Sequence, residues 1–325
     1  MDSAVAGLRA HQNKMDVVGH NIANVNTFGF KAQTYTFMDA MYQTSTSSTG
    51  HSGQAGGVNA AQYGYGTLMG SIGMDMTAST PSYVGGFNAS IDGQGFFITR
   101  ATPHAAGGVA VGGGAAGTSF KGSGFDYTRV GQFRVDSEGY ITDANGNFVF
   151  GFRPTAAGIE SGEDKEFGLD NLFALRAPME NLGGFSDTLG AGQAVQLDSI
   201  SVDKNGLISA TVSIPKDPAD PSKGTEPKTI YLGKVAIATF QNPEGLTKVG
   251  NNYYNSNERD NTGAASATPA GGAVSSLMPG YIEASNVDLA KEFSEMITTH
   301  RGFQANSKMI TVSDEMLSDL VAMKR

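Results

Sequence analysis

The sequence predicts an α+β multidomain protein, in which paired, coiled-coil-like N- and C-terminal helices carry an inserted all-β domain of sandwich or barrel type. Three features of the 325-residue chain support this: an apolar stripe at each end, hairpin patterns in the middle, and 44 glycines. The sequence leaves open whether a small outer β subdomain is present as well. The expected parts are a terminal helical domain at 1–27 plus 286–325, an extended arm at 28–80, an inner β domain at 81–151 plus 229–285, and an outer insertion at 152–228. The sequence leaves open whether part of the outer insertion belongs to the inner domain.

The N-terminal stripe consists of apolar residues at alternating spacings of four and three, interrupted in register by the polar His11. Its members are Ala4, Leu8, Met15, Val18, Ile22 and Val25. This spacing places them on one face of a helix. Gly29, which follows Asn24, Asn26 and Thr27, indicates where that helix has ended.

The C-terminal stripe is longer, and Phe293 extends the row beside it. Its five members stand seven residues apart: Leu289, Met296, Phe303, Ile310 and Leu317. The run from Ser285 to Asp288 is typical of a helix N-cap, so we expect a helix from about Val287 to about Met323. A seven-residue repeat also predicts a left-handed seam against another helix.

Each terminal helix is marginal in water alone, because it exposes an apolar stripe. We therefore expect the two ends of the chain to pair. The second helix is longer than the first, so pairing leaves apolar surface that other copies of the chain cover. The alternative is that both stripes are ordinary core faces of one globular domain.

The middle of the chain carries strand-forming residues separated by turn residues. The run Tyr127–Val135 reads as one strand, and Asn-Gly pairs at Asn145 and Asn205 predict tight hairpins. By contrast, residues 40–74 lack Asp, Glu, Lys and Arg and have few apolar residues. We expect them to form an arm that becomes ordered only by lying on another surface.

Composition excludes several classes of function. The chain has no cysteine, which removes disulfides, thiolate metal sites and cysteine nucleophiles. Its formal net charge of -9 argues against nucleic acid and anionic membranes as partners. We expect no membrane insertion and no cleavable apolar leader, since neither a long apolar span nor a leader pattern occurs.

The motifs that resemble metal-binding or cofactor-binding sites lack the residue spacing that those sites need. The run that begins at Asp143 starts like a calcium loop, but Phe148 and Pro154 occupy the positions that need Gly and Glu. Gly93-Gln94-Gly95 lacks the spacing of a dinucleotide loop. The five histidines do not pair at metal-ligand spacing. We therefore expect no enzymatic activity, no catalytic residues, no cofactor and no metal.

Four segments, in order along the chain, carry a resemblance to a known family. They are Asn21–Lys31, Ile91–Phe97, Tyr127–Gly151, and the C-terminal runs Ser285–Leu289, Arg301–Ser307 and Asp314–Leu317. Together they resemble the bacterial flagellar rod and hook proteins. Within that family, Arg301–Ser307 and Asn286–Leu289 are more similar to the hook protein than to the distal rod protein.

The resemblance implies a structural subunit of the flagellar hook, a curved self-assembling tube that transmits motor torque to the filament. β domains that slide over a packed helical core would let the tube bend. The alternative within the family is the distal rod protein, a stiff drive shaft. An alternative of another class is an extracellular β-domain polysaccharide-binding protein or hydrolase.

The implied partners are many copies of the same chain, the flagellar rod, the hook cap, the hook-filament junction proteins and the type III export apparatus. The implied location is the hook and basal body at the cell exterior. The residues expected to form the helix seam and subunit contacts are Leu8, Met15, Val18, Ile22, Leu289, Phe293, Met296, Phe303, Ile310 and Leu317. The N-terminal motif residues are Asn21, Ala23, Asn24, Asn26, Thr27, Gly29, Phe30 and Lys31, and those that fix the first β-domain strand are Ile91, Gly93, Gly95, Phe96 and Phe97.

Overall fold

The computed structural model of the chain describes residues 2–50, 56–103, 109–110, 121, 124–154, 167–168, 171–177, 196–215, 225–271 and 275–323. Helix α1 (Asp2–Ala23) and helix α2 (Leu289–Met323) enclose a β-rich middle. In chain order the strands are β1 (Gln33–Asp39), β2 (Tyr42–Thr46), β3 (Ala61–Gly64), β4 (Thr67–Met74), β5 (Pro81–Tyr83), β6 (Ala89–Gly93), β7 (Phe96–Arg100), β8 (Val109–Ala110), β9 (Asp126–Thr128), β10 (Phe133–Val135), β11 (Ile141–Asp143), β12 (Phe148–Phe152), β13 (Asn171–Ala174), β14 (Gln196–Val202), β15 (Leu207–Pro215), β16 (Thr225–Phe240), β17 (Thr247–Gly250), β18 (Tyr253–Asn255), β19 (Ala265–Pro269), β20 (Ser275–Pro279) and β21 (Tyr281–Glu283).

The chain divides into two compact units. The terminal unit contains residues 1–26, 31–75 and 286–325, and the β unit contains residues 27–30 and 76–285. Both ends of the chain therefore belong to one unit, and the coarse α+β prediction is confirmed. The finer arrangements, a left-handed seam and a sandwich or barrel, stay predictions.

Helix α2 begins two residues later than the sequence predicts. The Asp288 Oδ1 atom accepts hydrogen bonds from the backbone N–H groups of Ala290, at 2.9 Å, and Lys291, at 3.3 Å. Asp288 is therefore the capping residue, because its side chain satisfies two donors that the first helical turn leaves free.

The expected extended arm instead pairs with itself. Strand β1 pairs antiparallel with β4, and β2 pairs antiparallel with β3. Threonine, tyrosine and phenylalanine favour strands, and hairpin pairing satisfies the backbone without a core. Tyr35 is buried, whereas most other side chains of these four strands are exposed.

Strand β16 organises the sheet of the β unit. It is 16 residues long and pairs antiparallel with β15, β12, β7 and β19. Aliphatic and aromatic side chains from these and neighbouring strands form the buried core, which includes Phe97, Val149, Ile208, Val235 and Ile237. The core therefore lies around β16.

Two hairpins form at the predicted Asn-Gly turns. Gly146 follows Asn145 between β11 and β12 with φ +87°, and Gly206 follows Asn205 between β14 and β15 with φ +70°. The predicted single strand over Tyr127–Val135 is wrong, since β9 and β10 are separate strands. The chain leaves the ladder between them because the Ala89 N–H donates to the Gly131 carbonyl at 2.9 Å.

Much of the expected outer insertion lies outside the described residues, namely 155–166, 169–170, 178–195 and 216–224. Its described strands β13, β14 and β15, with the start of β16, join the same sheet as the inner strands. A separate outer subdomain stays a prediction.

Candidate functional site

The candidate functional site is the surface of the paired terminal helices, and two glycines lie in the contact between them. A Cβ built on Gly7 would stand 2.8 Å from Nδ2 of Asn306, and one on Gly302 would stand 2.7 Å from Cε1 of His11. At both positions a Cβ would require the facing side chain to move. The two glycines therefore make room for Asn306 of α2 and His11 of α1 in the contact.

Polar contacts continue the same pairing. The Lys14 Nζ atom lies 3.1 Å from Glu295 Oε2. Farther along α1, the Asn21 Nδ2 group donates to Glu292 Oε1 at 3.1 Å. Later residues of α1 thus contact earlier residues of α2, so the two helices run antiparallel.

The face of α2 that meets α1 combines polar and small residues with the half-buried apolar residues Met296, Phe303 and Ile310. Glu292 and Thr299 are its buried residues, and Gly302 and Asn306 are half-buried. On α1 the matching face buries Gly7, Ala10, Val18 and Asn21. Other apolar residues of α2, including Phe293 and Ile297, stay exposed, so the pairing within one chain leaves much of its apolar surface uncovered.

The residues expected at the seam differ in burial. Val18 is buried; Leu8, Met15, Ile22, Met296, Phe303 and Ile310 are half-buried; and Leu289, Phe293 and Leu317 are exposed. The exposed positions leave room for contacts outside the chain. Their assignment to subunit contacts stays a prediction.

Helix α2 extends beyond α1 at its C-terminal end. It has 35 residues against 22 for α1, or about 52 Å against about 33 Å at the usual rise. Because Asn306 already meets Gly7, few residues of α1 remain to cover the rest of α2. The exposed apolar residues of this overhang are Met316, Leu317, Leu320, Val321 and Met323, and Met309 and Val312 are exposed just before it.

Asn21 joins α1 to the first strand as well as to α2. Its Nδ2 group donates to the Gln33 carbonyl at 2.8 Å, and its Oδ1 atom accepts from the Gln33 N–H at 2.9 Å. The side chain is 1% exposed, so these bonds lie out of water. Asn21 therefore fixes the path of the chain after α1.

The rest of the N-terminal motif forms the turn after α1. The Asn24 Nδ2 group donates to the His20 carbonyl at 2.9 Å, and the Phe30 N–H donates to the Thr27 carbonyl at 3.3 Å. Ala23 is the last residue of α1, Asn26 is exposed, and Lys31 is buried.

Gly29 and Phe30 belong to the β unit. Gly29 has φ +67°, and a Cβ there would stand 2.8 Å from Cγ2 of Val130. Phe30 is buried, and the Lys248 Nζ atom lies 4.6 Å from the centre of its ring. Burial lowers the pKa of Lys248 to about 8.

In the terminal unit, one side chain connects three segments of the chain. The Asn286 Oδ1 atom accepts from the Ala32 N–H at 2.7 Å, and its Nδ2 group donates to the Asp75 carbonyl at 2.9 Å. The Asp75 N–H donates to the Ala32 carbonyl at 2.9 Å. Asn286 was part of the predicted cap, but the sequence does not reveal this role.

The β-domain motif begins the core of the β unit. Ile91, Phe96 and Phe97 are buried. Gly95 has φ +127°, and a Cβ there would stand 2.3 Å from Cγ2 of Ile237. Gly93 has φ +123°, and its carbonyl accepts from Arg129. In this structure Gly95 permits close backbone approach.

Sequence reasoning missed a buried ion pair in the β unit. The Arg129 Nη1 atom lies 3.3 Å from Glu283 Oε2, and the two side chains are 3% and 1% exposed. Burial lowers the pKa of Arg129, whereas Glu283 acts to raise it. The two residues are 154 apart in sequence, so no local pattern links them.

Two titratable groups lie in the helix contact. Burial raises the pKa of Glu292, although its bond to Asn21 acts in the opposite direction. Burial lowers the pKa of His11, and the positive charge of Lys14 adds to that effect. The contact therefore favours the uncharged form of both groups.

Among the described residues, the His, Asp and Glu side chains form no group of three that could hold a metal ion. Neither described helix is both long enough and apolar enough to cross a membrane.

Family models match both ends of the chain. Residues 1–31 match the flagella basal body rod protein model, and residues 278–323 match the C-terminal model of the flagellar basal body rod FlgEFG proteins. The flagellar basal-body rod protein FlgG of Bacillus subtilis is 32% identical over 324 residues, covering 99% of this chain and 98% of that protein. The chain belongs to the flagellar rod and hook protein family.

The relatives include both rod and hook proteins. The flagellar hook protein FlgE of Borreliella burgdorferi is 27% identical over 473 aligned residues, covering 99% of this chain and 98% of that protein. The FlgE hook protein of Caulobacter vibrioides is 40% identical over 129 residues, which are 40% of this chain and 20% of that protein. As a rod and hook family member, the chain is a structural component of the flagellum. The regions matched by the family models contain the two helices that pack together.

Proposed function

We propose that this chain is the structural subunit of the flagellar hook. Many copies assemble through the terminal helices into a curved tube that transmits motor torque to the filament. The observation that carries the proposal is the apolar overhang of α2, which is exposed in the single chain. Burying one such side chain is worth about 1.5–3 kcal/mol, so several together can drive assembly.

The assembly contact joins two different surfaces and does not close on itself. Contacts of this kind generate helical arrays rather than small rings. The seam residues of both helices and the overhang supply the apolar area of the assembly contact. The glycines keep α1 and α2 close together. The terminal unit is thus the polymerisation domain.

The choice of hook rests on the form of two segments. Asn286–Leu289 and Arg301–Ser307 resemble hook proteins more than distal rod proteins. The proposed partners are further copies of the chain, the rod, the hook cap, the hook-filament junction proteins and the type III export apparatus. The proposed location is the hook at the cell exterior.

The distal rod protein is the second candidate. It is supported by the end-to-end similarity to the Bacillus subtilis rod protein, which covers 98% of that protein. A rod subunit would use the same helix surfaces but would build a straight, stiff shaft.

Electron microscopy of the purified chain after a salt or temperature shift tests the proposal. Curved, flexible tubes would support the hook assignment, and straight, short rods would support the rod assignment instead. A chain that binds polysaccharide as a monomer and forms no ordered polymer would contradict both.

A further inference from the structure

Three segments of the β unit continue directly into the terminal unit: 27–30, 76–80 and 283–285. Glu283 contacts the other two. The Gly29 N–H donates to the Glu283 backbone carbonyl at 2.8 Å, and the Ser79 N–H donates to Glu283 Oε1 at 3.1 Å. Glu283 therefore links all three segments by which the chain enters or leaves the β unit.

Arg129 holds the Glu283 carboxylate against the sheet. Besides the ion pair at 3.3 Å, the Arg129 Nη2 atom donates to the Gly93 carbonyl at 3.0 Å. The guanidinium carbon also lies 5.5 Å from the centre of the buried Phe96 ring. Arg129, which directly follows β9, thus connects Glu283 to the strands β6 and β7.

The two charges depend on each other. A buried carboxylate without a partner is costly, and so is a buried guanidinium. The Arg129 Nε atom has no hydrogen-bond partner among the described residues, so Glu283 and Gly93 supply the polar contacts found for the guanidinium. Neutralising Glu283 would leave Arg129 buried with its charge uncompensated.

We propose that Arg129 and Glu283 are positioning residues that fasten the three connecting segments to the sheet, so that torque entering through those segments turns the β unit as one body. The mechanical part rests on the proposed function in a rotating flagellar tube. The fastening itself is a property of the single chain and can be measured without assembly.

A second, partly buried ion pair of the β unit provides a control. The Lys121 Nζ atom lies 3.2 Å from Asp260 Oδ1, with 4% and 12% of the two side chains exposed. Asp260 also accepts from the N–H groups of Asn257 and Thr262, which are local to its own loop. Asp260→Asn therefore disrupts a partly buried pair of the same unit, and the contacts of Asp260 named here do not involve the connecting segments.

Hydrogen exchange of the unassembled full-length chain, followed by mass spectrometry, tests the fastening. In Glu283→Gln the amides of 27–30, 76–83 and 281–285 should exchange faster by about tenfold or more, while β15 and the middle of β16 keep their protection. In Asp260→Asn the acceleration should stay near residues 257–262. Unchanged exchange of the connecting segments in Glu283→Gln, or equal acceleration there in both variants, would overturn the proposal.

Arg129→Lys gives a milder variant in case Glu283→Gln fails to fold. A lysine can pair with Glu283 but cannot also donate to Gly93 through a planar fork. The same three segments should exchange faster, and electron microscopy should show tubes of altered curvature or stiffness. Unchanged exchange in Arg129→Lys would refute the fastening. If the three segments exchange faster in this variant but the wild-type chain never assembles, only the proposed function is refuted.

Discussion

Gly302 lies against the imidazole of His11, and a Cβ built on it would stand 2.7 Å from Cε1 of that ring. This contact shows how α1 and α2 approach each other within one chain. Small and polar residues take part in this approach together with half-buried apolar residues such as Phe303. Other apolar side chains of α2, such as Leu317, stay exposed in the single chain.

A larger side chain at Gly302 should weaken the helix pair. Gly302→Leu pushes against His11 and should cost about 1–3 kcal/mol, the usual range for overpacking. Gly19→Ala is the control, because nothing among the described residues lies within 4 Å of a Cβ there. It should stabilise α1 by about 0.5–1 kcal/mol. Urea unfolding followed by helical circular dichroism measures both, and equal effects would contradict the close contact.

The helix pair should lose stability in acid through His11. The pKa of His11 in the folded chain is lowered from 6.5. The contribution of His11 to the free energy of unfolding is therefore complete above that pH and is lost as the pH falls. The unfolding free energy should drop between about pH 8 and about pH 5, and less so in His11→Gln. Glu292 has a raised pKa and the opposite sign, but it is present in both proteins. Identical pH profiles would exclude the role of His11.

A methyl group at Gly95 should disrupt the β unit. The Cβ would stand 2.3 Å from Ile237 at φ +127°, so Gly95→Ala should cost about 2–4 kcal/mol. Gly146→Ala is the control, because Gly146 also has positive φ but nothing described within 4 Å. It should cost about 1 kcal/mol. Thermal unfolding distinguishes the two, and a Gly95→Ala variant as stable as Gly146→Ala would refute the packing argument.

Local patterns predicted the elements that depend on local physics. Both terminal helices follow from apolar spacing, and the two Asn-Gly hairpins follow from a turn that favours positive φ. The start of α2 was misplaced by two residues because Ser285 and Asp288 are both good capping residues. Which of the two caps a helix depends on where the preceding segment is held, and here Asn286 holds it.

Long-range partners could not be predicted. Arg129 and Glu283 look like ordinary charged residues, and only the fold brings them together. The composition of residues 40–74 predicts an arm that becomes ordered only on another surface, but backbone pairing between β1 and β4 needs no core. The repeat that begins at Leu289 predicts an apolar seam, and it does not reveal that Glu292 and Thr299 are buried beside that seam.

The central claim is that the exposed overhang of α2 drives assembly. Leu317 is 50% exposed, so Leu317→Asp should leave the single chain folded. Ser318→Asp adds the same charge at the neighbouring exposed position and is the control.

Sedimentation of assembled protein across a concentration series tests this claim most directly. The account predicts that Leu317→Asp raises the concentration needed for assembly by about tenfold or more, while Ser318→Asp stays near wild type. Normal pelleting of Leu317→Asp at wild-type concentrations would contradict it.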